Sequence, residues 1–494
     1  MCAAEDAMKA KMASTKSVIH FGTSGWRAII ADEFTFGNVR RATAAIADHV
    51  RKKNSKATLI VGHDNRFFAE EFTLAAAGIL RERGVTVLLC DGPAPTPTIA
   101  YEIRRRKLDG AINFTASHNP YDYNGLKFSG PDGGPALPEV TKDIEKRAAK
   151  LDEPDRVHVS ADSFERISLR EPYLKRLAEL VHFDSIRKAG ITIVYDALHG
   201  CGAGYLDRAL ADHGITAHTI RANRDVLFDG TGPDVVESNL KPLLDAVRER
   251  HANVGLATDG DADRFGMIDA DGTWFQPNHI LGLVYDYVVT TRKWNFPAAR
   301  SVATSHLIDA VAKLHGTTVS KKAAVFETPV GFKYIGALIE QDKIAMGGEE
   351  SAGLSIRGHI PEKDGILAGL LVAEMIAARG ASLGEQLKDL FRRVGREFWP
   401  LRINLHLPPD VQARTVAQLK KDYKQFLGRP VVRMDRTDGL QLEFEDGSWV
   451  LMRLSGTEPL LRVYTEAATI DVSKKMGEQA RAWVLGEAAG GTAA

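Results

Sequence analysis

The chain has 494 residues, and its 64 Lys plus Arg balance 64 Asp plus Glu. That length holds about three or four domains at roughly 100–200 residues each, and a neutral chain without a basic stripe argues against a nucleic-acid binder. Three widely spaced cysteines, Cys2, Cys90 and Cys201, exclude a disulfide framework or paired zinc-ligand spacing, and no apolar run reaches the ~18 residues of a membrane helix.

The segment before residue 18 lacks the apolar core of a signal peptide. A cytoplasmic protein acting on small molecules, with no nucleic-acid or membrane partner, is expected; the oligomeric state stays open. The first organised feature is Gly22-Thr23-Ser24-Gly25-Trp26-Arg27, a turn that offers Arg27 to a cleft. Thr58–Gly62 then reads as a strand, a helical stretch follows, and Gly84 opens a second strand over Val85–Cys90. A third apolar run, Ala111–Phe114, stops at Thr115-Ala116-Ser117-His118-Asn119-Pro120. The carboxyl end of a strand is where open α/β sheets do chemistry.

The same plan returns twice. Ile191–Tyr195, a helical stretch, Gly214 with Ile215–Ile220, and Val254–Ala257 lead to Asp259-Gly260-Asp261-Ala262-Asp263-Arg264. Ser301–Thr304, a helical stretch, Gly316 with Thr317–Ser320, and Ile344–Met346 lead to Gly347-Gly348-Glu349-Glu350-Ser351-Ala352-Gly353. Short Val/Ile-rich runs alternating with helical segments predict βαβ units, and the three polar loops can face one cleft. The last segment differs. Pro400, Pro408 and Pro409 punctuate its start, and Asp438-Gly439 and Asp446-Gly447 separate alternating runs as hairpin turns do. The expected fold is three topologically similar mixed-sheet α/β domains, over 1–165, 166–296 and 297–398, plus a smaller C-terminal α+β domain with an antiparallel sheet over 399–494.

Each loop has a bland reading beside a chemical one. Ser-His-Asn-Pro is good turn chemistry, but it also presents the Ser117 hydroxyl. A Ser-His-Asp hydrolase fits poorly: no Gly-x-Ser-x-Gly surrounds Ser117, and on an extended segment His118 points away from it. Asp259, Asp261 and Asp263 form either an acidic surface turn or a cage for a hard cation, Mg²⁺ by preference, with Arg264 beside it for a phosphate. An EF-hand fits poorly because its glycine and glutamate positions hold Arg264 and Ala270. Glu349 and Ser351 are polar loop residues or a grip on vicinal sugar hydroxyls. Arg453, Ser455, Thr457 and Arg462 around Gly456 form a surface strand pair or an anion cradle. Gly200-Cys201-Gly202-Ala203-Gly204-Tyr205 lacks the third glycine of a dinucleotide fingerprint, and no nucleotide-binding Gly-x-x-x-x-Gly-Lys-Ser/Thr occurs.

In sequence and order, the four motifs resemble those of the α-D-phosphohexomutases, the phosphoglucomutases and phosphomannomutases, from Gly22 to Glu466. The resemblance implies four domains, the first three of one topology. It implies that Ser117 carries the phosphoryl group and that Asp259, Asp261 and Asp263 hold Mg²⁺ together with that phosphoserine. Glu349 and Ser351 would bind the sugar hydroxyls, and Arg453, Ser455, Gly456 and Thr457 the phosphate that is not reacting. Arg27, His118, Asn119, Lys127 and Arg264 match positions lining the family's active site, and Lys333 matches a lysine-bearing cleft segment of phosphoglucomutases. The implied reaction interconverts hexose 1- and 6-phosphates through a glucose 1,6-bisphosphate intermediate. Lys127 is the expected general base, a role that needs a depressed pKa. The loop Gly-Glu-Glu-Ser-Ala-Gly resembles the phosphoglucomutase form; the bifunctional phosphomannomutase form reads Gly-Glu-Met-Ser-Gly-His. Glucose is therefore the expected sugar, with a phosphomannomutase or bifunctional enzyme as the alternative. A Mg²⁺-dependent sugar phosphohydrolase and an inactive binding protein are the rivals of other classes.

Overall fold

The computed structural model describes residues 18–454, 460–487 and 491–493. Three mixed sheets share a four-strand plan. In the first, Tyr123–Ser129, Gly110–Phe114, Thr58–His63 and Thr86–Cys90 lie side by side, with Trp26–Ile29 and Glu165–Ile167 added at the edges. The second sheet orders Phe265–Asp269, Val254–Thr258, Ile193–Asp196 and Ala217–Ile220, with Trp274–Phe275 at its edge. The third orders Gly353–Ile356, Met346–Glu349, Ala298–Ser301 and Phe326–Thr328. In each, the last three strands are parallel and the first is antiparallel to its neighbour. The loop after the central strand is therefore a hairpin connection. Periodicity alone does not reveal this, because a buried returning strand such as Phe265–Asp269 reads like any other apolar run.

The third unit departs from expectation. Its first strand is Ala298–Ser301, so Ser301–Thr304 is mostly the loop that follows it. Its second strand is Phe326–Thr328, not Thr317–Ser320. Thr317 and Val319 carry β-branched side chains, but the chain turns back at Ser320, whose N–H donates to the Ala323 carbonyl. Phe326 instead takes the edge, packing on Phe332, Ile335 and Ile339. The third strand starts at Met346 and runs to Glu349, which makes Glu349 the last strand residue rather than a loop tip.

Helices cover these sheets, and their ends follow local chemistry. Ser382 and Glu385 form a capping box at the start of Leu383–Val394. Gly316 and Gly380 end their helices in the left-handed conformation. The helix Gly365–Arg379 packs in a core shared by the second and third sheets, with Leu256, Met267, Leu354 and Ile356 in the same cluster. Among the described residues, no single helix is long and apolar enough to cross a membrane.

The fourth sheet is wholly antiparallel, in the order Trp399–His406, Leu460–Ala467, Trp449–Leu454, Leu440–Phe444, Arg429–Asp435, Tyr423–Phe426 and Gly491–Ala493. The helix Ile470–Leu485 buries Met476, Ala480 and Trp483 against it. This layer meets the third unit through Val302, Ala303, Trp449, Leu451 and Tyr464. At that seam the buried Glu466 accepts from the His306 N–H (3.0 Å) and the Trp449 indole (2.9 Å). Among the described residues, the polar contacts of the last sheet with the rest of the chain run to the third unit and the segment leading out of it.

Candidate active site

Ser117 lies in the hairpin between Gly110–Phe114 and Tyr123–Ser129, buried and at a φ of 53°. A left-handed residue other than glycine costs about 1–2 kcal/mol, so its surroundings must hold it there. The buried Arg66 does so, donating to the carbonyls of Ser117 (2.8 Å), Asn119 (2.6 Å), Pro120 (2.7 Å) and Tyr123 (3.0 Å). Asp64 lies 3.2 Å from its Nε. The Ser117 hydroxyl donates to Asp259 at 2.6 Å.

His118 departs from expectation. The left-handed Ser117 folds the chain back, bringing His118 Nδ1 to 3.4 Å from Ser117 Oγ rather than pointing it away. Burial, then Arg264 and Arg27, push this imidazole well below its usual pKa, so it is neutral. Arg27 donates to the Asn119 side chain at 2.9 Å.

The aspartate loop meets the serine loop backbone to backbone. A Cβ on Gly260 would lie 2.6 Å from the Ser117 carbonyl oxygen, and one on Gly365 would lie 2.1 Å from the Arg264 carbonyl oxygen. Only glycine permits both approaches. Asp259, Asp261 and Asp263 are fully buried, with ligand atoms within 4.8 Å of one another. Burial, then Asp263 and Asp261, push the Asp259 carboxyl well above its usual range. Burial opposes ionisation of Asp263 as well, but Lys127, Lys363 and Arg264 outweigh it and hold that carboxyl well below. Asp261 Oδ1 and Asp263 Oδ1 are buried with no hydrogen-bond partner. Clustered carboxylates with spare oxygens fit a hard divalent cation.

Lys127 donates to Asp261 (2.5 Å) and Asp263 (2.7 Å). Burial lowers its pKa, but the two carboxylates prevail and raise it. The depressed pKa expected of a general base is thus not what this arrangement gives. Arg264 stands beside the triad, 3.7 Å from Asp234, with its Nε buried and unpaired; burial opposes its charge, while Asp234 and Asp259 favour it.

Glu349 accepts from the Gly331 N–H at 2.7 Å, and Ser351 is half-buried two residues on. Lys333 stands in the first turn of Phe332–Glu340; burial lowers its pKa against the pull of Glu139 and Glu349. Arg453 and Arg462 face each other across the pair Trp449–Leu454 and Leu460–Ala467. Like charges directly opposed on a sheet repel, which suits a shared anion. Arg453 also donates to Asp438 at 2.7 Å, and Asp438 accepts from the Val330 N–H at 3.1 Å. Ser455, Gly456 and Thr457 lie outside the described residues.

Sequence reasoning passed over Arg66, Thr96 and Lys363. The Thr96 hydroxyl donates to Asp261, and Lys363 donates to Asp263 at 2.8 Å. Arg66 closes the run Gly62-His63-Asp64-Asn65-Arg66 at a strand end, a visible signal. Lys363 precedes a long apolar helix, and nothing local says that it turns toward the triad.

Profiles of the phosphoglucomutase/phosphomannomutase domains match the chain in order: alpha/beta/alpha domain I over residues 18–155, domain II over 171–272, domain III over 276–394 and the C-terminal domain over 403–481. A phosphoglucomutase/phosphomannomutase of Thermococcus kodakarensis is 29% identical over 460 residues, spanning 92% of this chain and 96% of its own. A phosphoglucomutase of Komagataeibacter xylinus is 29% identical over 493 residues, spanning 91% and 87%. A crystal structure of a Thermus thermophilus protein assigned as a phosphomannomutase superposes with a TM-score of 0.81 at 32% identity, covering 95% of this chain and all of that one. The chain therefore belongs to the phosphoglucomutase/phosphomannomutase family of the α-D-phosphohexomutases, isomerases that interconvert sugar phosphates.

Proposed function

We propose that the enzyme interconverts hexose 1-phosphate and hexose 6-phosphate, glucose preferred, through phosphorylated Ser117 and a bound 1,6-bisphosphate. One observation carries the reading: the strained Ser117 hydroxyl is hydrogen-bonded to the aspartate triad, with Arg27 and Arg264 in the same pocket. The free sugar hydroxyl attacks the phosphoryl group; its bond to phosphorus forms as the Ser117 Oγ–P bond breaks. The sugar loses a proton and Ser117 Oγ gains one. His118, kept neutral, is able to accept a proton, and Lys127, kept charged, is able to give one. The bisphosphate then turns over and returns its other phosphoryl group to Ser117. Asp259, Asp261 and Asp263 would hold Mg²⁺, which draws negative charge from the transferring group. Arg27 and Arg264 place fixed positive charge in the same pocket. Glu349, Ser351 and Lys333 hold the sugar, and Arg453 and Arg462, with Ser455, Gly456 and Thr457, hold the distal phosphate.

Glucose and mannose differ only at C2, so selection needs a contact or a clash there. A Cβ on Gly353 would lie 2.2 Å from Lys363 Cδ, so the space that the histidine of the bifunctional form would need is filled. This supports glucose. A coupled assay should give a kcat/KM for glucose 1-phosphate above that for mannose 1-phosphate by about tenfold or more, the scale of one pocket contact. Glucosamine 1-phosphate belongs in the same assay, because a relative from Methanothermobacter thermautotrophicus, 28% identical over 470 residues, is assigned as a phosphoglucosamine mutase. Equal or reversed values would overturn the glucose assignment, and release of inorganic phosphate in place of isomer would identify a phosphohydrolase.

Glu349 adds a pH prediction. Burial and Glu350 push its carboxyl up to about 7. The ionised form accepts hydrogen bonds from sugar hydroxyls with both oxygens; the protonated form loses part of that capacity. KM for glucose 1-phosphate should therefore rise as pH falls through about 7. In Glu349→Gln the change should shrink to that of the substrate's own phosphate. An identical pH profile in the variant would remove Glu349 from sugar binding.

A further inference from the structure

Beside Arg66, the segment after Ala217–Ile220 folds into a tight turn that carries Asp225 and Asp229 against His199. The His199 side chain is buried, and its Nδ1 lies 3.0 Å from the Asn223 carbonyl. A carbonyl only accepts, so Nδ1 donates to it and Nε2 is the ring nitrogen left facing the turn. Nε2 lies 3.0 Å from Asp229 Oδ2, yet it makes no hydrogen bond: the atoms are close but not aligned for one. A buried ring nitrogen with no hydrogen-bond partner, aimed at two carboxylates, is placed as a metal ligand would be. Asp225 completes the cluster; its two oxygens accept the N–H groups of Leu227 and Asp229, both at 3.0 Å, which keeps the carboxylate ionised. Arg221 is the nearby cation, but it is committed to Asp196 at 2.5 Å and reaches Asp229 only at 3.7 Å.

We propose that His199, Asp225 and Asp229 form a second divalent-cation site, separate from the aspartate triad and suited to a transition ion of the Zn²⁺ class. Their ligand atoms lie within 4.8 Å of one another, so metal–ligand bonds of about 2.0–2.2 Å require the wider pairs to draw in and the 3.0 Å His199–Asp229 pair to open slightly. Two carboxylates neutralise the ion, and the imidazole selects against Mg²⁺ and for zinc-like metals. The Asn223 carbonyl fixes the histidine tautomer, and backbone N–H groups orient Asp225, the support that metal ligands need. Asp229 is exposed, so the ion has a way in and water can fill the remaining positions. The site is coupled to the serine loop. The Asn65 side chain donates to the His199 carbonyl at 2.8 Å, and the Arg66 guanidinium lies 5.1 Å from the Phe228 ring centroid.

The test uses the full-length enzyme, stripped with chelator, returned to saturating Mg²⁺ to occupy the triad, and dialysed against Zn²⁺. The expected result is one tightly bound Zn²⁺ per chain and a rise in the thermal unfolding temperature on zinc addition. Asp229→Asn and Asp225→Asn should each weaken that binding at least ~10-fold. His199→Gln should do the same, with its unfolding curve recorded in parallel. Wild-type enzyme that binds no zinc under these conditions overturns the proposal. Zinc binding unchanged in both aspartate variants, or lost only in Asp261→Asn, overturns it equally.

Discussion

Replacing Ser117 with alanine should lower kcat/KM for sugar-phosphate isomerisation by more than ~1,000-fold, because on the proposed mechanism it removes the atom that would carry the phosphoryl group between the two half-reactions. Among the described residues, Thr96 is the other hydroxyl that touches the triad. It donates to Asp261, and its oxygen also accepts from Asn113 (3.0 Å) and Lys127 (3.5 Å), so it is not free to replace Ser117. Intact-mass measurement should find a phosphorylated fraction in the purified enzyme and none in the variant. Alanine must adopt the same left-handed backbone, so Ser117→Gly serves as a second variant in which that strain is relieved. Both should be inactive while folded. Substantial turnover by either would show that the phosphoryl group travels by another route.

Removing the divalent cation with a chelator should silence the enzyme, and Mg²⁺ should restore it. Asp261→Asn should weaken Mg²⁺ binding by at least ~100-fold, since it removes one ligand charge and disturbs the partners that orient its neighbours. Asp261 also holds Lys127 and Thr96, so Asp259→Asn is a useful companion: it keeps both of those contacts and alters the oxygen that receives the Ser117 hydroxyl. Magnesium titrations of activity separate the two effects, because added Mg²⁺ recovers a loss of affinity and not a misplaced serine. A stripped enzyme that keeps its full rate would sink the assignment.

Much of the architecture was legible because apolar runs and turn residues repeat. Thr58–Gly62, Ala111–Phe114 and Val254–Ala257 all fall within strands, and Asp438-Gly439 and Asp446-Gly447 lie between paired ones. The third unit was harder, since Thr317–Ser320 has strand-like residues but no neighbour to pair with. Three-dimensional return was not legible. No local pattern says that Phe265–Asp269 folds back on Val254–Thr258, or that Lys363 lies against Asp263 100 residues earlier. His118 shows the limit most clearly. Its side-chain direction depends on one dihedral of Ser117, and that dihedral is fixed by Arg66, 51 residues away.

That arginine has a kinematic consequence. With its guanidinium spent on the carbonyls of Ser117, Asn119, Pro120 and Tyr123, the serine turn moves only as part of its own sheet. It is an anvil rather than an arm. On the proposed mechanism, an intermediate that presents first one end and then the other could not be followed by its donor. The sugar itself would have to rotate, and whatever grips its far end would have to let go and grip again. On that mechanism the yielding part would be the last sheet, which bears on the rest of the chain through the apolar seam around Trp449 and Glu466, through Arg433, Asp438 and Gln441, and through Trp399.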